Sequence, residues 1–386
     1  MNRVLIFAER MLPSTQTFIP IQVDALQRFE PQYAGLIPAE KNFALKQPPI
    51  LLTKDRTLKS RMRRESYRWT GVAPAYHSRL RQTGVKLMHA HFAEAASSAV
   101  SISDALQIPF VFHLRGGAEM MSDSELRKKA FQLPYLLWRR RLWERSSMFL
   151  CVSSFIRDKA LQAGFPAHKT RVHYTGIDIT RFSPSDSPAE KDKNLVLYVG
   201  RLVAYKGADH LVRAMQTVRL ANSDAHLVVI GDGTLRPDLE RLAPSLGVPC
   251  QFLGEQPWSV VRTWLERARV FCGPSLTLPD GMSEAFGNVF TEAQAMGVPV
   301  VSYRHGGIPE TMLDGKTGLL ADERDEKQLA ANLSRYLSDA NFWAYSREWG
   351  MRWVRENFDV LKQTAKLETL YDEVLGGAAK RIAEAA

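Results

Sequence analysis

Glu284 and Glu292 stand eight residues apart in DGMSEAFGNVFTEAQAMG, residues 280 to 297. On a helix at about 100° per residue, two acids at that spacing lie roughly 80° apart, so both can face one cleft. Gly287, near the start of that helix, allows an anion close to the backbone, and the free amides from Phe286 through Gly287 and Asn288 to Val289 then point at a phosphate. Taken alone, the same pattern describes a solvated amphipathic helix with two surface acids. Its context favours the cleft. In YVGRLVAYKG, residues 198 to 207, an apolar run ends at Gly200 and two cations follow, Arg201 and Lys206. At the carboxyl end of a parallel strand, an arginine fork and a lysine point charge suit a diphosphate. Further glycine turns, Gly231-Asp232-Gly233 and Gly306-Gly307-Ile308-Pro309-Glu310, follow two other apolar runs. Several such turns at one sheet edge point to a nucleotide.

The elements that must hold these residues are strands alternating with helices. Strands are expected at 3–7, 86–90, 110–113, 148–152 and 170–173 in the first half, and at 195–199, 226–230, 250–253, 270–273, 298–302 and 318–320 in the second. The Pro-, Ser- and charge-rich stretch between these sets reads as a linker. This gives a first domain at 1–183, a linker at 184–194, a second domain at 195–360, and a C-terminal helix at 361–386 that packs back on the first domain. A chain of 386 residues exceeds what one core usually supports, and it shows no repeat at a fixed period.

Charge divides unevenly. Residues 1–183 hold 28 Lys and Arg against 14 Asp and Glu, while the remainder hold 23 against 27, within a net charge of +10. The basic half therefore meets something anionic: nucleic acid, a lipid headgroup surface or a phosphorylated acceptor. Cys151, Cys250 and Cys272 lack CxxC spacing, which fits reduced thiols in the cytoplasm rather than structural zinc. No apolar run approaches a membrane span, and Met1 to Glu9 reads as a strand rather than a signal peptide.

Across nearly the whole chain these residues resemble family 4 of the retaining glycosyltransferases, whose GT-B architecture is an α/β pair of Rossmann-like domains facing each other across a cleft, followed by a helical tail. The G-R-x4-K-G element appears at Gly200 to Gly207, E-x7-E at Glu284 to Glu292, and G-G-x-P-E at Gly306 to Glu310. Val152-Ser153 and Thr175-Gly176-Ile177-Asp178 with Phe182 resemble the segment leading into the second domain, Thr175 standing where relatives have Asn. The resemblance implies a catalytic set of His113, Arg201, Lys206 and Glu284. It implies donor contacts from Gly200, Arg201, Lys206, Gly231, Glu284, Phe286, Gly287, Asn288 and Glu292, with Arg201 and Lys206 on the diphosphate, Glu284 on the sugar hydroxyls and Glu292 on the ribose. Neither a cofactor nor a metal is expected, because fixed cations and helix amides take the leaving charge and no D-x-D motif is present. The base pocket is expected at Gly254 to Trp258 and the Gly231 turn.

Acceptor candidates are Thr15 and Thr17, in a Ser-x-Thr-Phe form similar to that of relatives building exopolysaccharides and lipid-linked oligosaccharides, and Arg115 and Glu119, where many relatives show His-Gly-x-Asp. Both threonines are also placed to cap the next helix. His89 and His91, two apart, suit either a metal or a structural role at a strand end. The basic aromatic stretch Leu133 to Arg145 suits either an anionic membrane surface or a helix packed on the first domain, and the basic stretch Lys54 to Arg81 has no assigned partner. The expected partners are thus a nucleotide-sugar and a sugar or polyprenyl-diphosphate-linked acceptor, with the protein in the cytoplasm or peripheral on its membrane. Rivals are a nucleotide-sugar epimerase of the same fold, a catalytically dead sensor, and a basic nucleic-acid-binding protein, against which stands the lack of a recognisable nucleic-acid module.

Overall fold

A computed structural model describes residues 1–12, 16–38, 45, 47–118, 121–185 and 190–385. The chain divides into two compact units, Met1–Gly176 with Val360–Ala386, and Ile177–Asp359.

The first unit is built on a seven-stranded parallel sheet in the order Ile50–Leu51, Phe29–Gly35, Asn2–Phe7, Leu87–His91, Phe110–Leu114, Met148–Cys151, Thr170–Val172. Leu87–His91, Phe110–Leu114 and Met148–Cys151 are buried at every position, as parallel strands covered on both faces must be. Register sets His91 directly beside His113 on the neighbouring strand. The helix Val360–Ala385 belongs to this unit: Leu367, Tyr371 and Val374 share a core with Val4, Ile6 and Leu87. The Glu368 carboxylate accepts the backbone N–H groups of Gln27 and Arg28 at 2.8 and 2.6 Å.

The second unit carries six parallel strands in the order Cys250–Phe252, His226–Ile230, Leu195–Val199, Val270–Cys272, Val300–Tyr303, Gly318–Ala321. Numbered within the unit, this is the doubly wound order 3-2-1-4-5-6, whose direction reverses between Leu195–Val199 and Val270–Cys272. A ligand crevice forms at the carboxyl ends of strands on either side of such a reversal.

Each strand expected from the sequence is present within about two residues, the usual uncertainty of element ends. Phe29–Gly35 was not anticipated, because Glu30, Pro31 and Gln32 interrupt its apolar run, and neither were Ile50–Leu51 and the short pair Arg10–Met11 with Ile37–Pro38. The boundary between units falls at 176–177 rather than within 184–194. The Ser185 amide donates to Glu266, Lys191 to the Leu265 carbonyl and the Asp192 amide to the Arg267 carbonyl, which ties the described part of that stretch to the second unit. Among the described residues no helix is long and apolar enough to cross a membrane.

Candidate functional site

The second unit gathers its glycine turns at the carboxyl edge of its sheet. A Cβ on Gly231 would lie 1.9 Å from the Gly200 carbonyl oxygen, and one on Gly207 would lie 2.0 Å from that of Pro274. Both have positive φ, 137° and 65°. The loops after Leu195–Val199, His226–Ile230 and Val270–Cys272 can therefore approach this closely only as glycine. The turn at Gly306 is seated the same way on Glu284: a Cβ there would meet the Glu284 carbonyl oxygen at 2.2 Å, and the Gly307 amide donates to that oxygen at 3.0 Å.

Glu284 is not helical. The helix Asn288–Ala295 starts only after Gly287, at φ 92°, so the 80° spacing expected for the two acids does not apply. Loop contacts fix Glu284 instead. Its side chain pairs with the Lys206 ammonium, and its backbone N–H donates to His305 Nε2 at 3.0 Å. Because Nε2 accepts, His305 is neutral and its Nδ1–H donates to Glu323 at 3.1 Å; burial, stronger than the pull of Glu323, lowers its pKa accordingly. Burial alone would lower Lys206 as well, but Glu284 and Tyr205 outweigh it and hold the ammonium above its ordinary range. Arg201 is exposed, its guanidinium 2.5 Å from the Tyr205 hydroxyl. On the helix, burial pushes the Glu292 carboxyl up to about 7 against the opposing charge of Arg181, which stacks 4.6 Å above the half-exposed Trp258 ring. Phe286 is core, edge-on to Phe358, so only its backbone can serve a ligand.

The first unit holds a second cluster. His89, His91 and His113 come together at the carboxyl ends of Leu87–His91 and Phe110–Leu114, all buried, with Arg115 behind them. Arg115 donates from Nε to His91 Nδ1 at 3.1 Å and from an Nη to His113 Nδ1 at 3.3 Å. His89 Nε2 lies 3.1 Å from His113 Nδ1, and His89 Nδ1 lies 2.6 Å from the Tyr371 hydroxyl. Burial, with the Arg115 charge and the neighbouring imidazoles adding to it, holds all three histidines far below their ordinary pKa. Burial brings Arg115 itself down to about 9. Three imidazoles with ligand atoms within 4.8 Å of one another have the spacing of a metal site. The donor set does not fit one: the Nδ1 lone pairs of His91 and His113 are taken by a guanidinium, which would also repel a cation.

Residues 30–181 match Glycosyltransferase Family 4, and residues 180–350 match Glycosyl transferases group 1. The chain belongs to the family 4 glycosyltransferases. Similar relatives include the GDP-mannose-dependent alpha-(1-6)-phosphatidylinositol monomannoside mannosyltransferase of Mycolicibacterium smegmatis, 31% identical over 60% of this chain and 63% of that protein. Another is the amylovoran biosynthesis glycosyltransferase AmsK of Erwinia amylovora, 32% identical over 50% of this chain and 48% of that protein. The chain thus spans about half to two thirds of the length of the relatives it matches. Among solved structures, Anabaena Alr3699/HepE in complex with UDP and glucose superposes with TM-score 0.74 at 20% identity, covering 96% of this chain and all of that one. Sucrose-phosphate synthase from Thermosynechococcus elongatus superposes with TM-score 0.75 at 19% identity, covering 98% and 100%. The fold is GT-B, with two Rossmann-like units.

In this family 4 glycosyltransferase the acceptor candidates are scattered. Thr15 and Glu119 lie outside the described residues. Thr17 stands at the N-cap of the helix Phe18–Asp24, but its side chain makes no capping hydrogen bond, because its own backbone is already helical there. Arg115 is buried, its guanidinium engaged by His91, His113, Gln22 and Thr175. Leu133–Arg145 is a helix with Tyr135 and Leu142 buried, and its arginines pair with Asp123, Asp104 and Glu144. Sequence reasoning missed His305, Glu323, Arg181 and Tyr371. His305 directly precedes the Gly306-Gly307 turn, which was signal enough to examine it; the others are distant in sequence from what they touch.

Proposed function

We propose that this chain is a metal-independent, retaining glycosyltransferase that moves a hexose from a UDP- or GDP-sugar to a hydroxyl of a sugar or lipid-linked acceptor, in surface polysaccharide or glycolipid synthesis. The observation carrying this reading is the set of Arg201, Lys206, Glu284 and Glu292 at the reversal point of a 3-2-1-4-5-6 sheet, beside glycine turns and a helix N-terminus. Arg201 and Lys206 hold the diphosphate; Glu284, released from Lys206 by that exchange, takes sugar hydroxyls, and Glu292 takes the ribose. As the bond from the anomeric carbon to the phosphate oxygen breaks, the acceptor oxygen bonds that carbon on the same face and its proton passes to the departing phosphate oxygen. The two cations stabilise the charge that develops there, each contributing on the order of 10² to 10³ in rate.

Support for the donor comes from the GDP-mannose of the mycobacterial relative's name and the UDP of the Anabaena structure; the same relative, named for a phosphatidylinositol mannoside, supports a lipid-linked acceptor. A membrane surface is better served by the helix Leu58–Thr70 than by Leu133–Arg145. Leu58, Met62 and Trp69 are exposed along one face, and among the described residues Lys59, Arg61 and Arg63 have no acidic partner.

The test is thermal stabilisation by UDP, GDP, ADP and their sugars, with and without EDTA, on the wild type, Lys206→Ala and Glu292→Ala. A ligand at 100 times its Kd adds about 2.7 kcal/mol. Stabilisation by one nucleotide family, unchanged by EDTA and lost in both variants, is the expected result. Indifference to every nucleotide would overturn the transferase reading, and loss of stabilisation with EDTA would overturn its metal independence.

A further inference from the structure

Four loops of the second unit converge on one imidazole. His305 follows the strand Val300–Tyr303, Glu323 follows Gly318–Ala321, Thr277 follows Val270–Cys272, and Glu284 precedes the helix Asn288–Ala295. The His305 ring is buried among them. A backbone N–H only donates, so Nε2, which accepts from the Glu284 amide at 3.0 Å, carries no proton. That proton is on Nδ1, which faces Glu323 at 3.1 Å and the Thr277 hydroxyl at 3.3 Å. The Glu323 carboxylate also accepts the Thr277 N–H at 2.7 Å and its O–H at 3.1 Å, which fixes the carboxylate against the ring. Arg324, next in the chain, has φ 72°, one of four non-glycine residues with positive φ among those described. Such strain persists only where the surroundings impose it, and here the Arg324 guanidinium donates to the Thr277 carbonyl at 3.1 Å. Glu284 is thus held on both sides of its own backbone, its N–H by His305 and its carbonyl by the Gly307 amide.

We propose that His305 and Glu323 form a positioning dyad for Glu284: Glu323 holds the His305 proton on Nδ1, so that Nε2 keeps the Glu284 backbone where its carboxylate meets the donor sugar's hydroxyls. The proposal rests on the transferase reading above, which gives Glu284 those hydroxyls. His305 touches no substrate in this role. Its effect falls on the sugar end of the donor, because the diphosphate and ribose go to Arg201, Lys206 and Glu292, which other contacts position. The charged groups facing the ring are Glu323, Glu284 and Lys206, and Arg324 lies 4.0 Å from Glu323. Burial lowers the His305 pKa and the two carboxylates only partly oppose it, so the ring stays neutral until the pH falls below its ordinary value of 6.5. An imidazolium would set a second N–H against the Glu284 N–H and release the loop.

Two measurements test it on the full chain. Titrations of UDP-glucose, GDP-mannose, UDP and GDP give the affinity for the preferred nucleotide-sugar relative to its free diphosphate, a ratio in which contacts to base, ribose and diphosphate cancel. His305→Leu should lower that ratio on the order of tenfold, the loss of one hydrogen bond. His305→Gln, whose Oε1 can accept the Glu284 amide near the Nε2 position, should recover most of the loss. In the wild type the ratio should fall as the pH drops below 6.5, and His305→Gln should lack that fall. Nitrogen-15 spectra of histidine-labelled protein form the second measurement. At about pH 8, above the range where an ordinary histidine titrates, the His305 ring, assigned with His305→Gln, should be protonated at Nδ1 alone, and Glu323→Leu should release that preference. An Nε2–H tautomer in the wild type would overturn the dyad whether or not the variants fold. Equal weakening of nucleotide-sugar and free diphosphate in His305→Leu, or no rescue by glutamine, would also overturn it. Glu284→Ala separates the two readings: a lowered ratio there with a wild-type ratio in His305→Leu would overturn the dyad alone. An unchanged ratio in Glu284→Ala, or no nucleotide binding by the wild type, would bring down the transferase reading's sugar contact and the dyad with it.

Discussion

Glu292 shows how one carboxylate links stability to ligand binding. Burial raises its pKa to about 7, above the ordinary value of 4.5, so between those values the folded chain holds a proton that the unfolded chain has lost. Stability contributed by this group therefore falls as pH rises through that window, and is at its full value below it. Glu292→Gln should flatten the decline of melting temperature between about pH 5 and pH 7, leaving the share due to Glu9, whose buried carboxyl is also raised to about 7. The ribose contact has the opposite sign. Two ribose hydroxyls need the ionised carboxylate, so nucleotide affinity should rise through about pH 7 in the wild type and lose that rise in Glu292→Gln. Calorimetric titration at about pH 6 and pH 8 checks both variants, and an unchanged slope in Glu292→Gln would remove Glu292 from the nucleotide contact.

At the scale of elements, the helix Leu58–Thr70 buries Tyr67 and Arg68 against the first unit and leaves an apolar edge exposed. Leu58 is 73% and Met62 65% exposed, one turn apart, beside exposed Lys59 and Arg63. If it lies on an anionic bilayer, Met62→Glu should abolish co-sedimentation with vesicles of mixed anionic and zwitterionic lipid, while an Arg140→Glu change on Leu133–Arg145 should weaken it only slightly. Equal losses would return the role to the second helix. Elements were also where the sequence was most legible. Buried parallel strands such as Phe110–Leu114 and Leu195–Val199 are written as unbroken apolar runs, and the glycine turns are written as the only residue their close approaches permit. Phe29–Gly35 was hidden because Pro31 and two polar residues look like loop. Glu284 was misplaced because its helical spacing to Glu292 is interrupted at Gly287, and the role of Arg115 could not be read because its partners His91 and Gln22 lie 24 and 93 residues away.

For the whole molecule, the two units differ in how the chain assembles them, and this determines what each can do alone. The second unit, 177–359, is continuous in sequence and contains Arg201, Lys206, Glu284, Glu292, His305 and Arg181. The first is closed only when Val360–Ala385 returns to it, placing Leu367, Tyr371 and Val374 in its core and the Tyr371 hydroxyl on His89. Without that helix, buried apolar positions around Val4 and Ile6 face water, and the amides of Gln27 and Arg28 lose the Glu368 carboxylate. Three large side chains removed from a core cost about 2 to 5 kcal/mol each, comparable to the whole stability of a domain. A fragment 177–359 should therefore fold cooperatively and bind the free nucleoside diphosphate within a few-fold of the intact chain, because the residues assigned to the diphosphate and ribose are all its own. A fragment 1–176 should be unfolded or molten by near-ultraviolet circular dichroism, and adding a separate 360–386 peptide should restore its fixed aromatic signal. Strong diphosphate binding by 1–176 with the peptide, and none by 177–359, would reverse the assignment of the donor to the second unit. A stably folded 1–176 would instead mean that the returning helix tunes the histidine cluster without being required for the fold that carries it.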